Sequence, residues 1–186
     1  MNETLKTILN RRSIRKFQPE QIKDEELQAI LEAGRYAPSA MNQQSWHFTV
    51  VQNPAILQQL NQACKNAYLK SGNQRFEERA KSEDFKIFYN APTFIMVFGD
   101  ETAIAPLHDG SLALGNMLLA AHSLGIGSCW IHAMNYLFKT EEGNALKKEL
   151  GIPEGYVPVG SGAFGYPAVE PPAPAPRREN TVNIIK

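Results

Sequence analysis

The residues best able to do chemistry are Arg11-Arg12-Ser13-Ile14-Arg15-Lys16-Phe17. Four cations and a hydroxyl fall within six positions, and no acid interrupts the chain between Glu3 and Glu20. Arginine offers forked donors that pair with phosphate oxygens, and serine adds a short neutral donor. That is chemistry for a phosphate, although in isolation the same pattern also describes a solvated basic turn. A second cluster is Ser39-Ala40-Met41-Asn42-Gln43-Gln44-Ser45. Its amides and hydroxyls can read the edge of a planar heterocycle through donors and acceptors alike. A further basic pair, Arg177-Arg178, ends a proline-rich segment running from Pro171 to Pro176. Phosphate site, heterocycle-reading loop and distant arginine pair together suit a mononucleotide.

Other chemistries are poorly supported. Gly160-Ser161-Gly162-Ala163-Phe164-Gly165 satisfies GxGxxG, but Tyr166-Pro167 and a proline-rich tail follow it. No helix can start there to face a pyrophosphate, so the dinucleotide reading fails. These glycines are expected to allow close backbone packing at a strand end. His47, His108, His122 and His132 share no metal-ligand spacing, and no metal site is expected. His47 and His122 read as hydrogen-bonded packing residues. Cys129, beside Trp130, reads as a buried thiol rather than a nucleophile. No GxSxG elbow is present.

The elements that must position these residues follow from periodicity. Leu5, Ile8 and Leu9 predict a short helix running into the basic stretch. Asp24-Glu25-Glu26 opens a second helix with Leu27, Ile30 and Leu31 on its apolar face. Trp46 to Val51 reads as a strand, and Asn53-Pro54 starts a helix through Leu57, Leu60 and Cys64. Residues 71–86 are polar and are expected to form a mobile, partly helical excursion. Thr93 to Phe98 is apolar without a break and predicts a central strand buried on both faces. Ala105 to Leu124 is apolar nearly all round and predicts a buried helix, with small residues such as Gly115 inviting another backbone. Ser128 to Ile131 predicts a strand, Glu142 to Leu150 a helix, and Tyr156 to Gly160 begins a last core strand. Thr181 to Ile185 is expected to add one strand more. The sum is an α/β or α+β layer fold, with a sheet of about four or five strands covered by helices.

At 186 residues the chain fits one domain, spanning 1–186, with a C-terminal arm at 168–186. A hydrophobic share of 43% beside 20% charged residues is that of an ordinary globular protein. Lys plus Arg equals Asp plus Glu at 19 each, so bulk attraction to nucleic acid or an anionic membrane is not expected. No stretch is apolar enough to span a bilayer, and no signal-peptide core opens the chain. Two widely spaced cysteines read as reduced thiols of a cytoplasmic protein.

Three stretches of the chain resemble the nitroreductase family of FMN-dependent flavoenzymes. They are Arg11 to Phe17, Ala37 to Phe48, and the pairing of Asn116–Ala121 with Leu124–Ile131. The resemblance implies an α+β homodimer with two FMN sites at the subunit interface. It implies that Arg11, Arg12, Ser13 and Arg15 hold the phosphate and nearby flavin atoms, and that Pro38, Ser39, Ala40 and Asn42 come from the other subunit. Ile131, His132 and Ala133 would run beside the isoalloxazine ring, and Arg177 or Arg178 would return to the phosphate. Lys86 is the candidate for the pyrimidine edge. The chain departs from the pattern at Gln44-Ser45-Trp46, where relatives have Gln-Pro-Trp, and at His132-Ala133, where they often have Glu-Gly near flavin N5. The implied activity is hydride transfer from NADH or NADPH through FMN to a nitroaromatic, quinone or activated alkene, with no side chain as nucleophile or acid. A flavin-binding protein without turnover and a related flavin dehalogenase, with residues 71–86 as its lid, are the alternatives.

Overall fold

The computed structural model describes residues 1–186. Its sheet has four antiparallel strands in the order β1-β2-β4-β3: β1 Trp46–Val51, β2 Thr93–Asp100, β3 Gly127–Ile131 and β4 Tyr156–Gly165. Strand β2 is central and buried along nearly its whole length, as its unbroken apolar run requires. Its alternation splits the core. Phe94, Met96 and Phe98 face one layer, built on α3 Pro54–Leu69, α4 Gln74–Lys81, α6 Met134–Leu137 and α7 Glu141–Glu149. Ile95 and Val97 face the other, where α2 Asp24–Arg35 and α5 Pro106–Ser123 pack. The result is an α+β three-layer domain.

Several expectations change. Strand β4, which opens at Tyr156 as expected, runs on to Gly165, so the glycine motif forms the second half of the strand up to its end. The reason is across the sheet. A Cβ at Gly160 would lie 2.7 Å from Trp130 Cζ2, and one at Gly165 would lie 2.8 Å from Pro92 Cδ. Thr181 to Ile185 forms no strand, because nothing in the protomer pairs with it; Val182, Ile184 and Ile185 stand in solvent. Residues 71–86 contain α4, pinned by buried Ala80 and Phe85. The short helix α6 was not anticipated.

Two helices carry apolar surface that the protomer leaves bare. Helix α1, Glu3–Asn10, has no buried residue and exposes Leu5, Ile8 and Leu9. Helix α5 buries Ala113, Leu114, Met117 and Ala121 against the sheet. Its outer face, with Leu107 and Leu112, is exposed, and a Cβ at Gly115 would meet only open space. Only the inner half of α5 is therefore buried within one protomer, and its sequence is apolar on both sides because the outer half also requires cover.

Candidate functional site

The basic stretch is strapped along the free edge of β3. Ser13 bridges Ser128, and the Ile14 N–H donates to the Ser128 carbonyl at 2.9 Å. Further on, Phe17 bridges Pro167, and the Ala168 N–H donates to the Lys16 carbonyl at 3.0 Å. These bonds hold Arg11 and Arg15 beside β3 and the root of the tail. Past Ile14 the β3 edge, from Trp130 to His132, has no such strap.

The arginines differ in role. Arg12 donates from one guanidinium nitrogen to the carbonyls of Leu9 and Arg11, both at 2.7 Å, and so closes the end of α1. Arg11 makes no hydrogen bond of that kind. Burial, then Arg12 and Arg177, depress its pKa, with Cys129 opposing them. The tail thus brings Arg177 near Arg11, and both Arg177 and Arg178 are solvent-exposed. The protein's two ion pairs, Lys6–Glu3 and Arg35–Glu32, involve none of these arginines. A cavity of about 140 Å³ lies here, lined by Arg11, Arg12, His122 and the turn from Gly125 to Ser128. Ser128 Oγ, buried, has no hydrogen-bond partner. Clustered cations with no counter-anion, next to an orphaned hydroxyl, favour a bound dianion. The donor set fits the phosphate of a mononucleotide.

Arg15 faces the next region. Its guanidinium lies 5.8 Å from the Tyr89 ring centroid, and Tyr89 is the main influence holding its pKa above the ordinary value. Tyr89 and Asn90 both adopt positive φ, 58° and 56°, which turns the chain toward Arg15. Arg15, Arg79, Lys86 and Tyr89 share a groove of about 590 Å³. Ile131, His132 and Ala133 line an adjoining cavity of about 360 Å³ with Tyr89 and Arg79.

The loop carrying Pro38, Ser39, Ala40 and Asn42 lies elsewhere. Asp109, 3% exposed in the first turns of α5, accepts the Ala40 N–H at 3.1 Å and the Ser45 hydroxyl at 3.4 Å. Ser39 Oγ accepts the Gln44 N–H at 3.0 Å, and Gln43 Oε1 accepts the Ile104 N–H at 2.9 Å. Met41, Asn42 and Gln44 all have positive φ, so the loop is strained and held by these ties. His122, beside Arg11, is on the same helix as Asp109 but thirteen residues later. At 1.5 Å per residue the two ends are about 20 Å apart. One protomer therefore cannot close Pro38–Asn42 over Arg11.

Asp109, Tyr89, Arg79 and His122 join the candidate site only through the structure. The acid Asp109 sits in an otherwise apolar helix, a signal that was available. Tyr89, Arg79 and His122 gave no local signal.

Comparisons with known proteins show which family the chain resembles. The sequence model of the nitroreductase family matches residues 8–166. A nitroreductase with bound FMN from Bacteroides fragilis superposes with a TM-score of 0.95 and 39% identity, each chain covered over 100% of its length. One from Desulfitobacterium hafniense, also with bound FMN, gives 0.90 and 34%, again with full coverage of both. An Archaeoglobus fulgidus protein assigned as an NADH dehydrogenase/NAD(P)H nitroreductase is 36% identical over 175 residues, 91% of this chain and 88% of its own.

Proposed function

The chain belongs to the nitroreductase family, and from that premise we propose that it is an FMN-dependent oxidoreductase acting between NADH or NADPH and a small oxidised acceptor. The observation that carries this reading is the unpaired cation cluster of Arg11 and Arg177 beside the orphaned Ser128 hydroxyl, where the basic stretch is strapped onto the edge of β3. Held by these residues, FMN would supply the two-electron chemistry that links the nicotinamide to the acceptor. With a nitroaromatic the balance is NAD(P)H + H⁺ + ArNO₂ → NAD(P)⁺ + ArNO + H₂O.

The chain's own residues bind and orient. Arg11, Ser13 and Arg177 hold the phosphate, while Arg12 holds the end of α1 so that Arg11 is aimed correctly. Arg15 and Lys86 place positive charge at the pyrimidine end, which favours added electron density there. Ile131, His132 and Ala133 flank the ring.

The same reading makes the active unit a homodimer. The exposed apolar faces of α1 and α5 supply a surface for a second copy. The 20 Å separation along α5 gives a reason: Pro38, Ser39, Ala40 and Asn42 reach a flavin only across an interface. No helix is long and apolar enough to cross a membrane.

The test is anaerobic mixing of FMN-loaded protein with NADH and with NADPH, followed by nitrobenzene. Bleaching of the flavin absorbance and its return on adding the acceptor are expected. Failure of both nucleotides to bleach it would defeat the assignment.

A further inference from the structure

The cavity beneath α4 has walls suited to an aromatic ring and positive charge at its rim. Tyr68 and Phe76 stack with ring centroids 4.6 Å apart, and Tyr136 meets them edge-on at 6.1 and 5.3 Å. Its volume of about 360 Å³ is near the lower end for small-molecule sites and suits one or two fused rings. Ile131 and Ala133 lie on the same lining, so the cavity opens beside the residues assigned to the flavin ring.

Its electrostatics are one-sided. Arg79 of α4 and Lys139, just beyond α6, are the charged groups on the lining, and no carboxylate is among its residues. Neither cation belongs to an ion pair. The Tyr68 phenol is pushed up to about 12, chiefly by burial, so the aromatic wall stays neutral. The Tyr136 hydroxyl is engaged, donating to the Ser71 carbonyl at 3.3 Å. The adjoining groove adds Arg15, Lys16 and Lys86 against a single acid, Asp84. An apolar slot with cations only at its mouth focuses a positive potential on whatever enters.

We infer that the preferred acceptor is a planar aromatic anion, its ring on the Tyr68–Phe76–Tyr136 wall and its carboxylate or equivalent group between Arg79 and Lys139. This rests on the oxidoreductase reading above. For a nitroarene carboxylate the step is ArNO₂ + 2e⁻ + 2H⁺ → ArNO + H₂O, with the electrons supplied by NAD(P)H. Both cations are exposed, so each contributes modestly and salt weakens the preference.

The test compares three acceptors with FMN-loaded protein: 4-nitrobenzoate, the similarly sized cation 4-nitrobenzylamine, and uncharged nitrobenzene, which lacks the para group. At low ionic strength the benzoate should show a KM about tenfold below that of the amine, and the gap should shrink in high salt. Arg79→Gln with Lys139→Gln should weaken the benzoate about fivefold more than nitrobenzene. A second readout needs no turnover: 4-aminobenzoate should perturb the flavin's visible spectrum at lower concentration than 4-aminobenzylamine. Equal affinity for anion and cation in that titration would overturn the inference. So would a double variant that weakens NADPH binding while keeping the benzoate preference, since the cations would then serve the nucleotide's phosphates. Loss of all turnover with an intact spectral preference would instead count against the oxidoreductase reading alone.

Discussion

Asp109→Ala removes the anchor of the loop proposed to complete the partner's flavin site. In the structure the carboxylate is almost fully buried and takes two hydrogen bonds from the loop, one at 3.1 Å to the Ala40 N–H and a longer one at 3.4 Å to Ser45 Oγ. The first is charge-assisted and worth about 1.5–3 kcal/mol; the second, near the limit of hydrogen-bond length, adds about 0.5 kcal/mol. Desolvating the carboxylate offsets part of this. The expected net loss is about 2 kcal/mol of stability. The loop also has its own tendency to relax, because Met41, Asn42 and Gln44 are held at positive φ. Asp109→Asn keeps an acceptor oxygen for Ala40 without the charge, so its loss should be about half as large. The assay is chemical denaturation at one fixed protomer concentration, paired with an FMN titration. FMN affinity should fall in the same order: wild type, Asn, Ala. An alanine variant within about 0.5 kcal/mol of wild type, or an asparagine variant worse than alanine, would refute the anchoring argument.

Three other outcomes are expected. Arg11→Ala should lower FMN affinity about 10- to 150-fold, the equivalent of one charged contact, while leaving the apoprotein folded by circular dichroism. His122 has its pKa lowered by burial, then by Arg11 and Arg12, and burial also lowers His47. A depressed histidine leaves the folded state with fewer protons than the unfolded one, so stability is present above about pH 6.5 and is lost as pH falls toward the folded pKa. Denaturation curves at pH 7.5, 6.5 and 5.5 should show this, and His122→Asn should reduce the slope; an unchanged slope would remove His122 from the cluster. Gly143→Ala would set a Cβ 2.6 Å from the Leu137 carbonyl carbon and 2.8 Å from Phe138 Cα, both backbone atoms that cannot yield cheaply. It should cost about 3 kcal/mol, read as a lower melting temperature.

The legible parts of the site were those whose chemistry is local. Arg11 to Phe17 announces a phosphate by residue type alone, and Thr93 to Phe98 announces a central strand by its unbroken apolar run. What depended on distant partners stayed hidden. Asp109 meets Ala40 from 69 positions away; an acid in an apolar helix marks Asp109 as unusual but does not name its partner. Close packing at the glycines of β4 is readable from their type, but the partner that requires it, Trp130 lying over Gly160, is thirty positions away in sequence. Helix α6 is only four residues long, too short for a periodic signal. The tail from Thr181 has strand-like residues but no partner strand within the protomer, and composition cannot supply one.

The central claim is a flavin site assembled from two copies of the chain. Titrating the apoprotein with FMN while recording molar mass by light scattering tests it most directly. One FMN per protomer, bound tightly to a dimer, is expected, with affinity falling sharply in any variant that is monomeric. A protein that stays colourless after FMN is added, or a monomeric variant that keeps full FMN affinity, would contradict it.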